Sequence, residues 1–229
     1  MAKIGVLVLH GMGNQKPEFA EGMIEELYKR LKAKGYKNSD LIFKVVYWAP
    51  VFQEKETELM RHMKEGRDLD FVSLREFVIY YLADAIAYQK VTTAQQQIDV
   101  YQEIRDKIAK SVKELYDELK RSAPGVAEFP MVVMAHSLGC QMISNYIWDV
   151  QHDENKPANA FERMENLSAI MTFGCNIPLF TIAYNKLLPI TFLGINVNAC
   201  FPGTDPVKVK DAAKWVNFYD KDDILGYPL

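Results

Sequence analysis

The sequence predicts an α/β fold, a doubly wound and mostly parallel sheet with flanking helices, and three observations carry that prediction. Runs such as Ile4 to Leu9 and Pro130 to Ala135 are apolar without alternating, the pattern of strands buried on both faces of a sheet. Between such runs lie segments whose apolar residues recur every three or four positions, as in helices laid on a sheet. The two patterns alternate along the chain, which is the order that builds strand-helix-strand units.

Taken in order, Lys3 to Leu9 reads as a central strand and runs straight into the turn Gly11-Met12-Gly13-Asn14. Pro17 suits a first helical position, and Phe19, Met23, Leu27 and Leu31 then form one apolar stripe until Gly35 stops the helix. Leu41 to Trp48 reads as a second strand closed by Ala49-Pro50. From about residue 54 to residue 92 the pattern is helical with no strand, which predicts a helical cap inserted into the domain. Ile98, Tyr101, Ile104, Ile108, Val112, Leu115 and Leu119 define a long amphipathic helix ended by Ala123-Pro124-Gly125. A strand to Ala135, a helix from Leu138 to Trp148, a polar loop from Asp153 to Ala160, and strands Leu167 to Phe173 and Lys214 to Tyr219 complete the chain. No repeat or linker divides it, so residues 1–229 are expected to form a single domain.

With 229 residues, of which 49% are hydrophobic, the chain is long enough to bury a large core without disulfides or metals. The formal charge is −3, and the charged residues of both signs are interleaved along the helices, which argues against nucleic acid or an anionic membrane as partner. The three cysteines, Cys140, Cys175 and Cys200, are widely spaced and lie outside any zinc-type cluster, so they read as buried small residues in a reduced, cytoplasmic setting. Ile4 to Leu9 is too short for a signal-peptide core, and the most apolar later stretch, Phe77 to Tyr88, carries Asp84 and is too short to span a bilayer. That stretch reads as core packing, and stable membrane insertion is not expected.

The segment Met131 to His136 followed by Ser137-Leu138-Gly139 has the spacing of a nucleophile elbow, with Ala135 where the first glycine usually stands. Small residues two before and two after the serine let strand and helix backbones approach, and the turn lifts the hydroxyl toward a helix N-terminus. Independently, His10-Gly11-Met12-Gly13 directly follows the first strand, and its glycines allow a sharp turn that points amides into the space above the sheet. The spacing is not that of a dinucleotide-binding loop. Together these motifs resemble the α/β-hydrolase superfamily, in its lipase and esterase branch, over most of the chain.

The resemblance implies a serine hydrolase that forms an acyl-enzyme on Ser137, with oxyanion donors at the backbone amide of Leu138 and at Gly11 or Met12, and with His10 structural. It implies a small-molecule ester or other acyl substrate, and neither cofactor nor metal. It also asks for an acid near the end of the chain, where Asp223, before Ile224-Leu225, is the best match and Asp220 the second. The superfamily places its base histidine after the acid, whereas here none lies beyond His152. The expectation is therefore a further strand and histidine loop after Leu229. The alternative is a non-catalytic protein of the same fold that uses the elbow and pocket to bind a ligand or partner.

Overall fold

The computed structural model describes residues 3–65, 70–88, 100–155, 157–182, 185–192 and 197–229. Among these, five strands, β1 (Ile4–Leu9), β2 (Leu41–Val46), β3 (Met131–His136), β4 (Leu167–Phe173) and β5 (Lys214–Phe218), form one sheet in the order β2-β1-β3-β4-β5. Every pairing is parallel, so the sheet is wholly rather than mostly parallel. Helices cover both faces. Val6, Val8 and Met134 point toward Met23, Ile24 and Leu27 of α1 (Glu21–Ala33), while Leu7, Leu9, Val133 and Ala135 join the larger core with α5 (Val100–Ser122) and α6 (Leu138–His152). That two-sided burial is why β1 is apolar at every position. In α5, Ile104, Ile108, Val112, Leu115 and Leu119 are fully buried, and truncating any one of them to alanine costs about 2–5 kcal/mol where the residue is large.

Register fixes where the loops emerge. Leu9 is level with Val46 and Ala135, His136 with Phe173, and Phe173 with Phe218, so the segments that follow β1, β3, β4 and β5 all leave the same edge of the sheet. From β1 the chain crosses to β2 on one side, and from β3 to β4 on the other. The crevice between their loops is the switch point at which open α/β sheets bind ligands.

Several boundaries differ from the sequence expectation for physical reasons. Pro17 does not open a helix, because i→i+3 bonds from Phe19 to Lys16 and from Glu21 to Glu18 make turns there and α1 starts at Glu21. β2 ends at Val46 because the amides of Trp48 and Ala49 donate to His10 instead of to a ladder. The helical excursion begins at Pro50, the first residue of α2 (Pro50–Lys64), and Val51 and Phe52 belong to the main core with Trp48. It continues in α3 (Val72–Phe77), a π-helical turn (Val78–Leu82) and α4 (Ala83–Ala87). The expected end of this region near residue 92, and Ile98 of the long helix, lie outside the described residues. Phe77 to Tyr88 is core on one face only: Ile79, Asp84 and Tyr88 are buried, while Phe77, Val78, Leu82 and Ile86 are exposed. After α6 the helices among the described residues are α7 (Ile177–Thr181), α8 (Val197–Cys200) and α9 (Pro206–Ala212), the last capped by the Asp205 carboxylate on the Val207 amide. All three cysteines are buried.

Candidate active site

Ser137 joins β3 to α6 with φ 50° and ψ −123°, a conformation that L-residues rarely adopt and that costs about 1–3 kcal/mol. Bonds on both sides hold it: its amide donates to the Phe173 carbonyl (3.0 Å) and its carbonyl accepts from the Cys140 amide (2.9 Å). Two residues on, a methyl group at Gly139 would strike the His10 carbonyl oxygen, so α6 starts against the loop that follows β1. A methyl group at Gly11 would lie 2.6 Å from His136 Nδ1 and 2.7 Å from Ser137 Cβ. The elbow and the Gly11 loop are thus in close contact, at Gly139 with the His10 backbone and at Gly11 with the His136 and Ser137 side chains, which only glycine at 11 and 139 permits.

The amides of Gly11 and Met12 donate to no acceptor among the described residues, and Leu138, first in α6, has no acceptor within its helix. Gly13 is different, because its amide donates to Asp84 Oδ2 (3.3 Å). His10 anchors the loop from below. Its Nε2 accepts from the amides of Trp48 (3.1 Å) and Ala49 (3.3 Å), so Nδ1 carries the proton and donates to the Gly11 carbonyl (2.8 Å). The ring stacks on Trp48 at 4.3 Å, and Trp48 Nε1 donates back to the His10 carbonyl. Burial holds this imidazole neutral, with its pKa lowered to about 4.

The end of the chain reaches the same rim. Asp223 Oδ2 and His136 Nε2 lie 3.0 and 3.5 Å from the point where a Gly174 side chain would start, and Gly226 leaves room for the same carboxylate, 2.5 Å from its own missing Cβ. Asp223 Oδ1 accepts from the Leu225 amide (3.0 Å), whereas Asp220 is turned into a local bond with the Asp222 amide (3.0 Å). Both acids line an open pocket of about 720 Å³ with His136, Phe173 and Gly174. The Asp223 carboxylate is the one whose charge acts on His136, partly offsetting the burial that lowers its pKa. The His136 ring makes no hydrogen bond among the described residues.

The other histidines are committed elsewhere. His62 on α2 meets Arg61, and His152 bonds the Trp148 carbonyl and stacks on that indole. Hence Ser137, Gly11, Met12, Leu138, Asp220 and Asp223 converge on one edge of the sheet with two histidines, His10, which is committed to the loop backbone, and His136. Sequence reasoning missed Gly174 and Gly226, which admit the Asp223 carboxylate, and the buried acids Glu56 and Asp84 behind the Gly13 loop. An aspartate inside the most apolar stretch of the chain was the signal for the last.

A separate cleft of about 830 Å³ is lined by Gln141, one turn along α6 from Ser137, with Trp148, Ile177, Phe180 and Leu188, and Ser137 itself is not in its lining. Among the described residues no group of three or more His, Cys, Asp or Glu side chains could hold a metal ion, and no helix is long and apolar enough to cross a membrane. Neither a scan against models of known protein families nor a search of curated proteins finds a match to this chain.

Proposed function

We propose that the protein is a serine hydrolase acting on carboxylic esters through an acyl-enzyme on Ser137. The observation that carries this reading is the strained Ser137 backbone at a strand-to-helix turn, pressed against a glycine loop whose Gly11 and Met12 amides are unused. A strained residue is retained where its side chain has work that a relaxed turn could not do. In this reading the Ser137 hydroxyl attacks the ester carbonyl, the Leu138 amide and that of Gly11 or Met12 hold the oxyanion, and water releases the acid. Each oxyanion donor is worth about 3 kcal/mol of barrier. The cleft beyond Gln141, lined largely by aliphatic and aromatic side chains, suits an apolar acyl group, and the helices from α2 to α4 act as a cap over the switch-point crevice.

In this reading Asp223 serves as the acid, and the imidazole that stands beside it in the pocket is that of His136. His136→Gln tests that ring as the base, since turnover is abolished if His136 supplies it and persists if it does not. A second reading, a ligand-binding protein of the same fold, is favoured by one observation: among the described residues no histidine is hydrogen-bonded to Ser137 or Asp223. The test is turnover of p-nitrophenyl esters of increasing acyl length. The hydrolase reading expects hydrolysis that drops at least about a thousandfold in Ser137→Ala; no turnover by folded protein on any chain length favours the binding reading.

A further inference from the structure

Two acids from different helices meet at the Gly13 end of the loop that follows β1. Asp84 of α4 is 2% exposed and Glu56 of α2 is 6% exposed. Asp84 Oδ2 accepts the Gly13 amide, while Asp84 Oδ1 and Glu56 Oε1 are buried without a partner. Two ionised carboxylates cannot share so dry a site, but one proton held between the two partnerless oxygens satisfies both. What then remains is a single negative charge with an oxygen on the Gly13 amide.

We propose that Asp84, sharing one proton with Glu56, is the positioning residue of the oxyanion loop: it takes up the Gly13 amide and so fixes the direction of the Gly11 and Met12 amides toward the Ser137 side. The inference rests on the hydrolase reading for its catalytic consequence, although not for the contact itself. It explains why the cap helices carry buried acids, since these tie α2 and α4 to the loop that follows β1. Gly13 is thereby withdrawn from the oxyanion donors, leaving those at 11, 12 and 138.

The groups that face Asp84 are Glu56 from α2 and the Gly13 amide from the loop; no other ionisable side chain among the described residues acts on it. Burial first, then Glu56, pushes the Asp84 carboxyl up to about 8, and burial raises Glu56 as well. The pair keeps its proton in the folded protein and would lose it unfolded, so its contribution is present at low pH and is lost as pH rises through about 8. Above that pH the two charges repel and the Gly13 anchor loosens.

The test measures two things on the full chain across pH 6 to 10: the rate at which a fluorophosphonate labels Ser137, and the exchange protection of the Gly13 amide relative to an unstructured peptide. Asp84→Ala is expected to slow labelling on the order of ten- to a hundredfold and to remove Gly13 protection. Asp84→Asn, which keeps an acceptor for Gly13 and a donor for Glu56, recovers most of both. Wild type loses protection and labelling rate above about pH 8, and Glu56→Gln, whose amide can donate to an ionised Asp84, abolishes that alkaline loss. Should Asp84→Ala fail to fold, the Glu56→Gln pH profile decides. Wild-type labelling and unchanged Gly13 protection in Asp84→Ala, or an alkaline loss that persists in Glu56→Gln, overturns the proposal. If wild type is never labelled, the hydrolase reading fails alone, and Gly13 protection still decides the anchor.

Discussion

Replacing Ser137 by glycine and by alanine separates backbone strain from side-chain chemistry. At φ 50°, ψ −123° a Cβ atom costs about 1–3 kcal/mol, and both serine and alanine bear that cost while glycine does not. Glycine also gives the unfolded chain more freedom, which offsets about 0.4–1 kcal/mol of the gain. The net expectation is that Ser137→Gly is more stable than Ser137→Ala by up to about 2 kcal/mol. At an ordinary position the sign is reversed, with glycine worse by about 0.5–1 kcal/mol. For a domain of this size each kcal/mol moves the midpoint about 2–4 °C. The assay is urea and thermal unfolding of the two variants side by side, with near-ultraviolet circular dichroism to confirm the same fold. If Ser137→Gly unfolds about 1 kcal/mol more easily than Ser137→Ala, the turn is not strained and the structural case for a nucleophile elbow fails.

Other outcomes follow from the same geometry. Because burial holds His10 neutral at about 4 against about 6.5 when unfolded, stability should fall as pH drops from 6.5 to 4, by about 3 kcal/mol from this residue; urea midpoints against pH, compared with His10→Asn, check the slope. Gly139→Ala pushes a methyl group into the His10 carbonyl and should cost about 1–3 kcal/mol and most esterase turnover, measured by unfolding and by kcat. Gly226→Ala displaces the Asp223 carboxylate and should lower kcat with little change in stability, whereas Asp223→Asn should lower kcat on the order of 10⁴-fold with KM nearly unchanged. Narrowing the cleft with Ile177→Trp should shift preference toward shorter acyl chains, read as kcat/KM along an ester series.

The parts of the fold legible in the sequence were those in which local pattern and tertiary packing ask for the same residues. β1, β4 and α5 are examples: continuous apolar runs or a three-four stripe are what two-sided strands and sheet-covering helices need. Boundaries moved where a distant partner decided them. The end of β2 is set by the His10 ring, 38 residues away, and nothing in Val-Val-Tyr-Trp announces it. Pro17 carried a real helix-start preference, but turn bonds from the Phe19 and Glu21 amides to the Lys16 and Glu18 carbonyls took the segment first.

For the site, short motifs were enough to bring Ser137, Leu138, Gly11 and Met12 to the front, because the elbow and the glycine loop are contiguous in the chain. The sequence ranked Asp223 ahead of Asp220 on a short match alone, whereas the space that Gly174 and Gly226 leave for the Asp223 carboxylate is visible only in three dimensions. The His136 ring lies along the rim between Gly11 and Gly174, a placement that no spacing in the chain announces. Asp84 showed in the sequence only as a charge inside an apolar stretch, and its meeting with Glu56 and Gly13, across two helices and a loop, was beyond reach.

The most direct test of the central claim is intact-mass analysis of the folded protein after treatment with a fluorophosphonate, followed by peptide mapping. An activated serine predicts one adduct, mapped to Ser137 and absent from Ser137→Ala. Folded protein that takes up no adduct, or takes one up at another residue, would contradict it.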